Sequence, residues 1–149
     1  MTQVSRKSTS LYDGDFNAWL EEQAAHARAG RAGKLDLVHL AEELDGLNKS
    51  QRHEIENRLR VLLAHLLKHE AQPELRTRGW LLTIAEQRDQ IAIVLRDSPS
   101  LRGYPRSILA DAYARAVRMA AIETGLTAAD FPPACPWPVE RVLEEGWLP

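Results

Sequence analysis

Apolar residues recur along the chain at spacings of three and four, the period of an α-helix that buries one face. We find no strand-like alternation of any length in the sequence. An acidic residue before an apolar-periodic run is a helix start signal, so a first helix is predicted after Asp13 or Asp15. The AGRAG segment at 29–33 ends it, and a second helix is predicted from Asp36 to Gly46 or Asn48.

The rest of the chain is predicted to be helical as well, except for one proline-rich stretch. Ser50 can cap a long third helix that runs to about Ala71, and a fourth helix covers roughly 76–96. A fifth helix is predicted with Pro105 in its first turn and Gly125 as its C-terminal cap.

The stretch FPPACPWP at 131–138 carries four prolines, so it is predicted to be extended, and a short helix at 139–146 follows it. The pattern therefore predicts an all-α fold: an antiparallel bundle of four to five main helices with a proline-rich strap and a short C-terminal helix. Residues 1–10 are expected to be a disordered tail and 11–149 a single helical domain. The side chains predicted to be buried are Trp19, Leu40, Leu44, Leu62, Leu66, Trp80, Ile84 and Ile91.

A set of sequence motifs in a fixed order resembles the DUF29 family of small bacterial proteins. The motifs are LYDGDFNAWLEEQ, LDLVHLAEEL, RLRVLLAHLLKHEAQP, TIAEQRDQI, LRDSPSL, ETGL and FPPACPWPVERVLEEGWLP. The resemblance covers residues 11 to 149 and implies an all-α fold, with no activity assigned. One departure is visible: the usual HLLKW of the family reads HLLKH here, so His69 replaces an aromatic residue.

The composition indicates which cellular compartment to expect. No apolar run approaches the ~18 residues of a membrane-spanning helix, so no membrane contact is expected. The polar N-terminus lacks the apolar core of a secretory signal. Cys135 is the single cysteine, which excludes an intrachain disulfide and favours a reducing cytoplasm.

Charge is distributed unevenly along the chain. Residues 10–48 contain eight acidic and three basic residues, whereas residues 49–118 contain thirteen basic and eight acidic ones. A central basic face for an anionic partner is one interpretation, and mutual neutralisation of helices within the fold is the other. The pI near 6.2 and the scarcity of nearby aromatic residues argue against nucleic acid. The central basic residues are Arg58, Arg60, Lys68, Arg76, Arg78, Arg96, Arg102 and Arg106.

His65 and His69 are spaced by one helical turn, as in zinc motifs of the HExxH type. The glutamate that such chemistry needs as a general base is replaced here by Leu66. We therefore expect the two imidazoles to pack beside the apolar stripe and to bind no structural metal.

The second candidate group is acidic. Glu42 and Glu43 lie inside a strongly apolar helix, and Arg88 lies on the apolar face of the predicted fourth helix. A guanidinium cannot discharge on burial, so it must meet carboxylate or carbonyl groups, and Glu43 is the predicted partner. The alternative is that Glu42, Glu43 and Glu86 hold Mg²⁺ between helices.

Three functions remain open. The leading hypothesis is a non-enzymatic helical domain that acts on a protein partner or as a homo-oligomer, without a cofactor, because no complete catalytic set can be assembled. The alternative is a hydrolase dependent on a divalent metal, Mg²⁺ or Zn²⁺, with Glu42, Glu43, Glu86 and Arg88 as its candidate residues. The third is a nucleic-acid-binding module that uses the central arginines.

Overall fold

The computed structural model describes residues 10–149, so the tail predicted at 1–10 lies outside the described residues except for Ser10. Within this range the chain contains helices and turns and no strand, which confirms the all-α prediction. Single turns of 3₁₀ helix occur at Ala32–Lys34, Pro73–Leu75, Pro99–Leu101 and Ala128–Asp130. The α-helices are α1 (Leu11–Gly14), α2 (Phe16–Arg28), α3 (Leu37–Ala71), α4 (Arg78–Asp97), α5 (Tyr104–Thr124) and α6 (Val139–Val142).

The chain divides into two compact units, and the boundary falls within α3. Unit 1 ends at Asn48, and unit 2 comprises Lys49–Pro149.

The helix α3 corrects the prediction of separate second and third helices. It runs without interruption from Leu37 to Ala71, through Gly46, Asn48 and Ser50. Glycine and asparagine lower helix stability by at most about 1 kcal/mol each. No proline blocks the backbone hydrogen bonds there, so the helix continues and Ser50 caps nothing.

Unit 1 is built from α1, α2 and the beginning of α3. Asp15 caps α2 as predicted, since its carboxylate accepts from the backbone N–H of Ala18 at 3.0 Å. Trp19 is buried as predicted, whereas Leu40 is only half-buried. Leu44 was wrongly predicted to be buried: 65% of it is exposed. Spacing shows which residues share a helix face but not whether another element covers that face.

Unit 2 contains the main core. Arg58 of α3 donates to Gln87 of α4, and Gln51 donates to Ser98, so these two helices run antiparallel. Lys68 of α3 bonds to Glu123 near the end of α5, whereas Tyr104 at the start of α5 bonds to Glu56; α5 therefore runs parallel to α3. The core formed between the three helices includes Leu59, Leu62, Leu63, Leu66, Leu67, Ile84, Ile91, Ala112, Tyr113, Ala116 and Ala120.

Four of the residues predicted to be buried lie in this core, namely Leu62, Leu66, Ile84 and Ile91. Trp80 is partly exposed. The Lys68 ammonium lies over its ring, 4.6 Å from the centroid, and this contact explains why Trp80 stays at the edge of the core.

The proline-rich strap packs on α5. Gly125 ends α5 with φ +74°, the left-handed conformation that suits glycine. Phe131 is buried, and the hydroxyl of Tyr113 donates to the carbonyl oxygen of Pro132 at 2.7 Å. After the strap, α6 is a single turn, Val139–Val142, shorter than predicted. The residues that follow turn back towards α4 instead of extending the helix.

Candidate functional site

Arg88 is buried on α4, as predicted, but its partners are not carboxylates. Its Nε donates to the carbonyl oxygen of Val142 at 2.9 Å, and Nη2 donates to that of Trp147 at 2.8 Å. Burial lowers its pKa, an effect partly opposed by the charge of Glu144. The predicted pair with Glu43 is therefore wrong. Arg88 is satisfied by two backbone carbonyls of the C-terminal segment, and its role is to fasten that segment to α4.

Glu43 forms a hydrogen bond within unit 1. It accepts a hydrogen bond of 2.5 Å from the hydroxyl of Tyr12, and this bond raises the pKa of Tyr12 to about 12. Glu42, the neighbouring acid, is exposed. Glu86 is also exposed and lies with Arg88 on a depression of about 570 Å³ between α4 and the C-terminal segment.

The described part of the chain contains no cluster of side chains that could bind a metal ion. Between residues 10 and 149, no group of three or more His, Cys, Asp or Glu side chains is placed to hold a metal ion. The two candidate histidines have separate surroundings. His65 is half-buried, with Nδ1 2.9 Å from the carbonyl oxygen of Val61 one turn earlier.

His69 is buried, and its Nδ1 has no hydrogen-bond partner among the described residues. Burial lowers its pKa, and the charge of Arg76 adds to the effect. Both effects favour the neutral form of the imidazole.

A polar cluster that sequence reasoning missed joins α2 to α3. Asp36, at the start of α3, lies 2.6 Å from Nδ1 of His39 through one carboxylate oxygen, which also accepts from Nε1 of Trp19 at 3.1 Å. The ring of Tyr12 stacks on His39 with centroids 3.9 Å apart. The backbone N–H of Asp36 donates to Gln23 at 2.7 Å. The sequence signal that could have predicted this pair is an aspartate three residues before a histidine at the start of a helix.

The cluster shifts the titration of both members of the pair. Hydrogen bonding to Asp36 is the main cause that raises the pKa of His39, and the reciprocal bond lowers the pKa of Asp36. The pair favours an imidazolium beside a carboxylate. Its neighbours are aromatic rings, so the arrangement clamps the two helices together.

An apolar surface lies exposed on the first turns of α3. We call it the α3 ridge; it consists of Leu37, Leu44 and Leu47, which share one face of the helix and are each between 65% and 67% exposed. Neighbouring α2 adds Phe16 and Leu20, which are also exposed. A cluster of large apolar side chains in water typically marks a surface that another molecule covers.

Several of the central basic residues are engaged by neighbouring groups of the protein. Within residues 10–149, most of these basic side chains form hydrogen bonds or ion pairs with neighbouring groups of the protein. Arg58 bonds to Gln87, Lys68 to Glu123, Arg76 to the carbonyl of His69, Arg96 to Asp97, and Arg106 to Glu140.

Comparison with known proteins identifies the family and nothing beyond it. The family model "Domain of unknown function DUF29" matches residues 11–148, so the chain belongs to this family. No curated protein and no solved structure matches the chain. In the described part of the chain, no helix is long and apolar enough to cross a membrane.

Proposed function

We propose that this protein is a non-enzymatic interaction domain that pairs with a second copy of itself through the α3 ridge. The observation that carries the proposal is the exposure of Leu37, Leu44 and Leu47 on one face of a short length of helix. Soluble monomers seldom leave so many large apolar side chains in contact with water on one element.

The size of unit 1 supports a partner that completes its core. The unit ends at Asn48, and only Trp19 and Gln23 are buried among its described residues. A unit of 48 residues buries a smaller fraction of its surface than a larger domain does, so its stability is correspondingly marginal. A second copy would cover the ridge and supply the missing apolar contacts.

The charges at the two ends of the ridge favour a second copy over an unrelated partner. Arg28 and Lys34 precede the ridge, whereas Asp45 lies towards its other end, and all three are exposed. None of the three forms an ion pair within the described residues. Two copies related by a two-fold axis, with their α3 helices antiparallel, would place the bases of one beside the acid of the other.

The Asp36–His39 cluster has a defined part in this arrangement. It holds α2 against α3, so each copy contributes a preformed helical hairpin. Two hairpins that pack along their apolar faces make a four-helix bundle, a stable solution for helices of this length.

The experiment is a comparison of molar mass by light scattering coupled to size-exclusion chromatography. Leu44→Gln combined with Leu47→Gln should convert a dimer into a monomer while the helical content is kept. The matched control is Leu82→Gln, an exposed leucine on α4 of unit 2, which should remain dimeric. If both variants have the mass of the unmodified protein, the ridge is not the contact surface.

A further inference from the structure

Three arginines of unit 2 converge on one surface depression. Arg60 comes from α3, and Arg115 and Arg118 come from adjacent turns of α5. The depression measures about 420 Å³ and is completed by Met119, Ile122 and Glu123. Since α3 and α5 run parallel, residues near the middle of each helix are brought together here.

The positive charge of this group is not neutralised from within the fold. In the described chain, neither an ion pair nor a side-chain hydrogen bond is formed by Arg60, Arg115 or Arg118, in contrast to Arg106 and Arg141 nearby in sequence. The one carboxylate that lines the depression, Glu123, is bonded to the Lys68 ammonium at 2.7 Å. The depression therefore keeps an excess of positive charge.

Arg60 carries an unmet hydrogen-bonding demand. Its Nε is sealed from solvent without a partner, which costs free energy within the fold. Arg60 also lines a narrow adjoining cavity of about 60 Å³, together with Arg115, Glu56 and Asp111. Glu56 is engaged by the hydroxyl of Tyr104, and Asp111 is an exposed acid at the edge.

We propose that Arg60, Arg115 and Arg118 form a binding site for the phosphate group of a small molecule. Guanidinium groups present paired N–H donors that match the oxygens of phosphate, and three of them around one depression suit a multiply charged oxyanion. The apolar rim of Met119 and Ile122 leaves room for the organic part of a phosphomonoester. This site lies in unit 2 and is independent of the α3 ridge in unit 1.

Isothermal titration of the full chain with pyrophosphate and with glycerol phosphate tests this proposal. We expect binding of one ligand per chain and a loss of about tenfold in affinity in Arg115→Gln and in Arg118→Gln, since each removes a charge-assisted contact. Arg118→Lys should fall between, because it keeps the charge and loses the paired donors. Both residues are exposed, so the variants should fold. The control is Arg96→Gln, whose arginine is exposed on α4 and paired with Asp97.

Three results would overturn the proposal. The first is no binding of either ligand at ~1 mM. The second is equal binding by the unmodified protein, Arg115→Gln and Arg118→Gln. The third is tight, strongly salt-dependent binding of random-sequence DNA without binding of the small ligands, which would indicate an extended polyanion surface.

Discussion

The Nε–H of Arg88 donates a hydrogen bond of 2.9 Å to the carbonyl oxygen of Val142, which lies 54 residues further along the chain. A second bond from the same guanidinium reaches Trp147. The C-terminal segment is thus fastened to α4 by one buried cation that needs no counter-ion, because two carbonyl dipoles take that place. Trp147 also packs edge-to-face on Trp137 of the strap, so strap and C-terminal turn form a single clamp.

Replacing Arg88 by methionine should release this clamp. The buried carbonyl of Val142 and the part-buried carbonyl of Trp147 would lose their donor, and a buried acceptor without a partner costs about 1–3 kcal/mol. We expect a loss of roughly 2–4 kcal/mol in the free energy of unfolding, measured by urea denaturation. Arg96→Met, at an arginine whose side chain is 72% exposed, should change stability by less than about 0.5 kcal/mol. Equal effects of the two variants would show that the clamp contributes nothing.

The Asp36–His39 pair predicts a pH dependence of unit 1. The raised pKa of His39 means that its contribution is fully present below the unfolded value of 6.5 and is lost as the pH rises through the folded pKa. The lowered pKa of Asp36 means that its contribution is present above 3.8 and is lost as the pH falls through the folded value. The hairpin should be most stable between these limits.

The titration of His39 can be followed directly by NMR. In the unmodified protein the midpoint should lie above 6.5, and Asp36→Asn should lower it, since the hydrogen bond to the carboxylate is the largest cause of the shift. A midpoint that is the same in both proteins would show that the carboxylate of Asp36 does not raise the pKa of His39.

His69→Leu should stabilise unit 2. The substitution removes a buried ring nitrogen without a partner, and an apolar side chain suits the surrounding core. The gain should be about 1 kcal/mol at pH 7 and larger near pH 5. The lowered pKa of His69 means that stability is lost as the pH falls below the unfolded value, when the unfolded chain takes up a proton first.

Urea denaturation at the two pH values checks this prediction, with His53→Gln on the exposed surface of α3 as the control. A His69→Leu protein that is less stable than the unmodified one at both pH values would mean that the imidazole has a partner after all.

Local signals in the sequence were sufficient for two of the helix ends. The Asp15 cap and the left-handed Gly125 follow from the chemistry of one or two residues, and both are present as predicted. The buried positions of Leu62 and Ile84 were predicted from the three- and four-residue spacing of apolar residues along their helices. The break at Gly46 was wrong, because a weak helix former inside a long helix costs less than ending and restarting it.

Contacts distant in sequence could not be predicted from such signals. Spacing placed Arg88 on an apolar face and showed that it needed acceptors, but it could not distinguish a carboxylate on another helix from the carbonyls of Val142 and Trp147. The exposure of Leu44 could not be predicted from such signals either. Its place in an apolar stripe is correct, yet nothing in the pattern shows that no other described element covers this stretch of helix.

Charge reversal tests whether the ridge meets a second copy in the antiparallel sense. Arg28→Glu with Lys34→Glu should weaken dimerisation, because acids would then face acids, and Asp45→Lys should do so because bases would then face bases. Mixing the two variants should restore a dimer, since each then supplies the complement of the other. Light scattering of the mixture and of each variant alone gives the result. A mixture that stays monomeric, or a charge-reversed variant that still dimerises alone, contradicts the antiparallel pairing.

Sedimentation equilibrium of the unmodified protein measures self-association most directly. One chain has a mass of 16.8 kDa, and the proposal predicts a weight-average mass that rises with concentration towards twice that value. The rise should be complete at concentrations between about 1 and 200 µM, the range of moderate protein–protein affinities. A mass of 16.8 kDa at every concentration in this range would contradict the proposal that the α3 ridge binds a second copy.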